Sequence, residues 1–265
     1  MTTHCKCKKY LFQVLEKEKS GKREVAAAFD GGAITSDAGG LLLRETDART
    51  GIVNQFSECF IDHRDPDLIE HTVEELVKQR VYSLVLGYED LNDHDSLRHD
   101  PLLATLMGKS DPTGQDRLRE SDKGKPLAGK STLNRLEITP ADATAESRYK
   151  KIVASFEKID KALVNIFLHS YRKPPKRIVL DLDATGNILH GSQEGRFFSA
   201  YYGDYCYLPL YIFCGKALLC VRLRPSDASA SKGAEEELER IVKQIREAWP
   251  KTEICIRGDS GFCND

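Results

Sequence analysis

The chain has 265 residues, 40% of them hydrophobic and 30% charged, with 10 prolines and 19 glycines, a make-up that fits one large or two ordinary folded domains and excludes disordered and fibrous classes. A net charge of −2 carries no overall basic signature, so binding to nucleic acid has to be argued from local features. No run approaches the roughly 20 apolar residues of a membrane helix, and the first 24 residues lack the apolar segment of a secretory leader, so a cytoplasmic location is expected.

Residues 1–24 are polar and lysine-rich, with an amphipathic patch at Tyr10, Leu11, Val14 and Leu15, and read as a basic arm. From Val25 the composition changes, and Gly31-Gly32 and Gly39-Gly40 punctuate a hairpin-like unit as turn signals do. Asp65-Pro66 offers an N-cap and a first-turn proline. Val73, Leu76, Val77, Val81, Leu84 and Val85 then recur at helical spacing until Gly87. Polar stretches over 88–100 and 108–129 read as loops bracketing a short helix near Leu102 to Leu106. A further helix is predicted over 146–170, with Ile152, Val153, Phe156, Ile159, Leu163, Ile166 and Phe167 on one face. Lys173-Pro174-Pro175 stops it, since proline removes a helical donor and clashes with the preceding turn. Three regions result: the arm 1–24, a mostly helical region 25–172 and a strand-rich region 173–265.

In the last region Arg177 to Ala184 alternates, with Ile178, Leu180 and Leu182 on one face and Val179, Asp181 and Asp183 on the other. Two more runs, Tyr207 to Cys214 and Ala217 to Arg224, are joined by Gly215-Lys216, a two-residue hairpin loop. An amphipathic helix over 232–248 follows, with Leu238, Ile241, Val242, Ile245 and Ala248 on one stripe and Glu235, Glu236 and Glu237 where the helix dipole favours acids. The run Glu253 to Gly258 then delivers Asp259 at its carboxyl end. The order is three strands by hairpin-type links, a helical crossover and a last strand parallel to a neighbour. Of the eight cysteines, Cys214, Cys220 and Cys255 sit inside these apolar runs and are expected to stay reduced.

Two aspartates therefore stand at strand ends, Asp183 before Ala184-Thr185 and Asp259 in Arg257-Gly258-Asp259-Ser260-Gly261-Phe262. Each alone is read most simply as a turn former. Side by side on neighbouring strands, they would share hard divalent ions such as Mg²⁺, or Mn²⁺, through oxygen ligands. Two such ions about 3.5–4 Å apart activate an attacking water or 3′-hydroxyl and stabilise the leaving oxygen of a phosphodiester.

Leu180 to Thr185, His190 to Gly195, Tyr201 to Leu210 and Arg257 to Phe262 resemble segments of bacterial insertion-sequence transposases of DDE group 1, the thirteen-eighty group. Phe29 to Gly32, Gly87 to Asp93 and Leu127 to Arg135 are similar to the same group, so the resemblance spans from about Val25 to the end. It implies an α/β chain: an RNase H-like mixed sheet, incomplete here, preceded by a mostly helical N-terminal region. It further implies Asp183 and Asp259 as catalytic metal ligands, with Asp181 as the fallback for the first. The implied partners are double-stranded DNA of transposon terminal inverted repeats and a second copy of the chain on that DNA, in a nucleoid-associated setting. In such transposases a third ligand, a glutamate, lies on a helix well beyond the second aspartate, whereas this chain ends at Asp265. An inactive fragment is therefore expected, with a non-catalytic DNA-binding fragment that interferes with an intact copy as the alternative.

Lys173 and Lys176 in a local basic cluster, and Arg196, Arg222 and Arg224, are candidates for phosphate contacts, though as surface residues they could equally be inert. Tyr201, Tyr202 and Tyr205 could stack on exposed bases, whereas Tyr207 and Tyr211 are expected to pack in the sheet. Gly124 to Ser131 fits the spacing of a P-loop, but no buried strand is predicted before it. His4-Cys5-Lys6-Cys7 has no second ligand pair nearby for zinc. The acidic runs Asp62 to Asp65 and Asp90 to Asp95 are expected to be helix caps and solvated loops.

Overall fold

The computed structural model describes residues 10–13, 24–27 and 36–263. Most of the predicted basic arm, and Cys5 and Cys7 with it, lies outside them. The chain divides into two compact units, residues 1–155 and 156–265.

In the first unit, strand β1 (Tyr10–Gln13) pairs antiparallel with β2 (Glu24–Ala27), Tyr10 opposite Ala27. Gly40, expected in a turn, instead opens helix α1 (Gly40–Thr50), which Gly51 ends in a left-handed conformation (φ 64°) before α2 (Ile52–Ser57). Strand β3 (Phe60–Asp62) is antiparallel to β4 (Ile152–Ala154). The predicted long helix from residue 146 is therefore shorter: Ile152 and Val153 are buried in a ladder with Asp62 and Ile61. Two adjacent β-branched side chains suit a strand better than a helical turn.

Helix α3 (Val73–Val85) begins with a capping box, Glu75 N–H donating to Thr72 Oγ1 while Thr72 N–H donates to Glu75 Oε2. Asp65 caps a 3-10 turn at Pro66–Leu68, and Asp90 caps another before α4 (His94–Leu97). Asp100 caps α5 (Pro101–Leu106); Asp65, offered by the sequence as the start of the long helix, caps only the 3-10 turn, and α3 begins seven residues later behind Thr72. Helix α6 (Lys130–Glu137) completes the unit, and Leu76, Leu103, Leu106, Leu127, Leu133 and Ile152 form its fully buried core.

Gln79 crosses that core as a polar clasp. Its Nε2 donates to the Ala128 carbonyl (2.8 Å) and to His94 Nδ1 (3.0 Å), and its Oε1 accepts from Ala128 N–H (3.1 Å). The backbone partners fix the amide's orientation, so His94 Nδ1 must be the acceptor and the ring is neutral with its proton on Nε2.

The second unit begins with α7 (Phe156–His169), which packs on the sheet that follows it. The division thus falls before this helix rather than after it, because Val164 and Phe167 share a core with Ile178, Leu180 and Leu182. The main sheet has strand order β10-β9-β5-β11, from β5 (Arg177–Ala184), β9 (Leu210–Cys214), β10 (Ala217–Arg222) and β11 (Glu253–Arg257). β9 is antiparallel to both β5 and β10, and β11 is parallel to β5. Helix α8 (Ala234–Ala248) makes the crossover, burying Ile241 and Ile245 in the same core. Unpredicted is a small sheet inserted between β5 and β9, of order β6-β8-β7, from β6 (Asn187–Ile188), β7 (Phe197–Ser199) and β8 (Asp204–Tyr207). Among the described residues all six cysteines are free, and no helix is long and apolar enough to cross a membrane.

Burial, followed by Arg80, pushes His94 down to about 4. Burial, followed by Lys109 and Arg117, pushes His71 down to about 3. Because both folded values lie below the ordinary 6.5, the unfolded chain takes up these protons first as pH falls. Their contribution is complete above pH 6.5 and is lost as pH drops through that value towards about 4 and then 3. Urea unfolding should give a lower free energy at pH 5 than at pH 7.5, with the gap narrowed in His94→Gln. A gap of opposite sign would contradict this.

Candidate active site

The alternation of β5 sends Ile178, Leu180 and Leu182 into the core and leaves Asp181 and Asp183 on the opposite, more open face. Parallel pairing sets Ile256 beside Leu180 and Arg257 beside Asp181. Asp183 is the penultimate residue of β5, and Asp259 lies two residues past the end of β11, still extended (φ −77°, ψ −178°). The two aspartates thus lie at, or just past, the carboxyl ends of neighbouring parallel strands.

Local contacts orient them. Thr185 Oγ1 donates to Asp183 Oδ2 (2.8 Å). Gly261 N–H donates to Asp259 Oδ1 (2.8 Å), so Asp259 also caps the 3-10 turn Ser260–Phe262. Both readings of Asp259, turn former and exposed ligand, hold at once. These contacts leave Asp183 Oδ1 and Asp259 Oδ2 open, hard oxygen donors of the kind that Mg²⁺ takes.

Asp181 is engaged otherwise. The Arg257 guanidinium donates to its Oδ1 from Nε at 2.5 Å, and this carboxylate holds Arg257 above its usual value. Arg257 had no role in the sequence reading. Its signal was available, because a parallel register that aligns Asp259 with Asp183 also aligns Arg257 with Asp181. Among the described residues no three His, Cys, Asp or Glu side chains group closely enough to hold an ion.

The five basic candidates fall in different places. Lys173 and Lys176 are exposed just before β5, roughly 20 Å from Asp183 at the ordinary rise of a strand. Arg196 lies over the Tyr205 ring (4.5 Å to its centroid) and donates to the Gly191 carbonyl. Arg222 donates to Asp160 (Nη1 to Oδ1, 2.8 Å) and to Glu237 (Nε to Oε1, 2.6 Å), tying α7 and α8 to β10. Arg224 is buried, and donates to the carbonyls of Leu208, Ala230 and Lys232. Both guanidiniums have partners within the unit, acids from α7 and α8 for Arg222 and loop carbonyls for Arg224, so each has a structural role that the sequence analysis did not assign.

Tyr207, expected in one strand with Tyr211, instead ends β8 of the inserted sheet, its hydroxyl donating to the Glu194 carbonyl. Tyr211 stacks on Phe213, whereas Tyr201, Tyr202 and Tyr205 are exposed on the inserted sheet with Phe197 and Phe198. The Tyr202 ring lies where a side chain on Gly186 would be, 2.4 Å from an added Cβ. Gly186 must therefore be bare for the inserted sheet to lie against the end of β5.

The second unit thus carries a mixed sheet with Asp183 and Asp259 near the ends of adjacent strands and exposed aromatics on the inserted sheet. The chain belongs to the family Transposase DDE domain group 1, whose sequence model matches residues 17–265, and DNA transposition is its class of function. Neither the curated proteins nor the solved structures contain a match.

Arg222→Ala should lower the unfolding free energy by about 2 kcal/mol, less than a fully buried pair would give because its side chain keeps 31% exposure. Thermal and urea melts check this. Unchanged stability with weakened DNA binding would return Arg222 to the role of a DNA contact.

Proposed function

We propose that the chain handles transposon-end DNA through an RNase H-like catalytic unit whose metal ligands are Asp183 and Asp259. The observation that carries this reading is the parallel pairing of β11 with β5, which aligns the two strand ends that bear the aspartates. The order β10-β9-β5-β11, with an antiparallel hairpin, a helical crossover and a parallel return, supports the RNase H-like assignment.

Asp183 and Asp259 would hold Mg²⁺, or Mn²⁺, through the oxygens that Thr185 and Gly261 leave open. When bound, two such ions lower the pKa of the attacking hydroxyl or water and offset charge on the leaving oxygen. Thr185 and the Gly261 N–H restrain the carboxylates, so less freedom is lost when a ligand binds. Arg257 neutralises Asp181 one alternation back along β5, which limits repulsion between Asp181 and Asp183. The substrate is double-stranded DNA of the terminal inverted repeats, bound by a homodimer, and Arg196 with the exposed tyrosines of the inserted sheet is a surface suited to meeting it.

The alternative reading is a DNA-binding fragment that does not cut and that interferes with an intact copy. Mn²⁺ should broaden amide resonances around residues 181–185 and 257–261, and Asp183→Asn with Asp259→Asn should abolish the effect. A plasmid carrying the element's ends should remain uncut by the purified chain in Mg²⁺. Broadening that survives both substitutions would remove the site, and nicking that disappears in Asp259→Ala would refute the inactive reading alone.

A further inference from the structure

In the first unit, the segment preceding α3, the 117–122 loop and the first turn of α6 enclose a cavity of about 370 Å³. Five arginines line it: Arg64, Arg98, Arg117, Arg119 and Arg135. Asp67, Glu70 and Asp122 line it too, and buried His71, whose pKa burial and then Lys109 and Arg117 push down to about 3, adds no charge near neutrality. Positive charge exceeds negative by two, taking these five cations against these three acids.

The pairing is uneven. Arg64 is taken bidentately by Asp62 (2.8 and 2.7 Å), and Arg117 Nη2 reaches Glu70 (2.8 Å). Arg98 has only Asp122 at 3.8 Å, beyond hydrogen-bond range. Arg119 and Arg135 are exposed with no carboxylate within ion-pair distance among the described residues, and Arg135 lies over the Tyr149 ring (5.6 Å to its centroid). Arg117, with 9% side-chain exposure, has an Nε without an acceptor, as does Arg98. Buried donors of a charged group left unmatched are costly, and an anion in this cavity is the ligand chemistry that meets them.

The backbone agrees. Helix α6 starts from Gly129, whose missing side chain cannot cap it, and Asp95 Oδ1 accepts from the Lys130 N–H (3.3 Å); Gly129 and Thr132 of this helix start are on the cavity wall beside the arginines. A Cβ at Gly129 would sit 2.8 Å from Arg98 Nη1, so the bare glycine is what lets this guanidinium lie against the helix start. This is not a P-loop. Only a 3-10 turn interrupts residues 108–129, and Lys130 is engaged by Asp95 (3.1 Å) and Asn92 (3.1 Å).

We infer that this cavity is a phosphate-binding site, occupied by a backbone phosphodiester of duplex DNA. The occupant rests on the DNA reading of the preceding section. The cavity itself rests on the arginines and their unmatched donors. A free nucleotide shares the phosphoryl chemistry, but among the described residues no Phe, Tyr or Trp lines the cavity, and its one imidazole, His71, is buried, which leaves no open ring face on which a base could stack. The exposed Arg119 and Arg135 at the margin suit a continuous strand that passes over the opening.

The test is fluorescence anisotropy of a labelled duplex across a salt series with the full 265-residue chain, unaltered and as Arg119→Gln/Arg135→Gln. Those side chains are exposed, so the variant should keep its melting temperature. In parallel, inorganic phosphate and a nucleoside triphosphate are tried as stabilisers in thermal melts. The double variant should bind duplexes of any sequence about tenfold more weakly, with a log–log salt slope lower by about one to two. Gly129→Ala, which displaces Arg98, should weaken binding in the same sense. Unchanged affinity and slope in both variants would overturn the site. Stabilisation by phosphate or nucleotide that the double substitution removes, with DNA binding intact, would overturn DNA as the occupant. An unaltered chain that binds no duplex at all would instead sink the DNA reading, which separates that failure from a failure of the cavity.

Discussion

Everything proposed for the second unit depends on β11 lying parallel to β5 in a register that sets Arg257 beside Asp181. The crossover helix α8 enforces this: Ile241 and Ile245 bury completely against the sheet core, and a helix of this length returns the chain to the end at which β5 began. A slip of one residue would send the side chains of β11 to the other face. It would also set an aspartate against the wrong neighbour.

The same unit shows how charge is used for construction. Arg222, Asp160, Glu237 and Arg240 join α7, α8 and β10 in one network, and Arg224 gathers carbonyls from the 208 and 230–232 segments. These arginines hold the scaffold on which Asp183 and Asp259 stand. Arg257 differs, since it is exposed and pairs with an acid on the site's own face, where it sets the local charge next to Asp183.

In the first unit a polar clasp plays the corresponding part. Gln79 binds both backbone groups of Ala128, which fixes the approach to α6 and hence where Gly129 meets Arg98. A buried amide with all these partners satisfied specifies one arrangement of the loop that hydrophobic packing alone would leave less determined. The arginine-lined cavity is a consequence of that placement.

Short-range order was legible in the residues. The apolar stripe of α3 was legible from Val73 to Val85, the alternation of β5 from Ile178 to Asp183, and the β9–β10 hairpin from Gly215-Lys216, while the start of α3 at Thr72 rather than Asp65 was not. Each depends on neighbours a few positions apart. The two strand-end aspartates and the resemblance to transposases came from the sequence as well. What only tertiary structure decided were pairings across long separations: Ile152 and Val153 in a ladder with β3 instead of a helix, α7 on the sheet and not with the helices before it, and Arg222 and Arg224 turned to internal partners. Periodicity tells which face of an element is apolar, but which acid, carbonyl or strand edge meets that element is fixed only when distant segments pack.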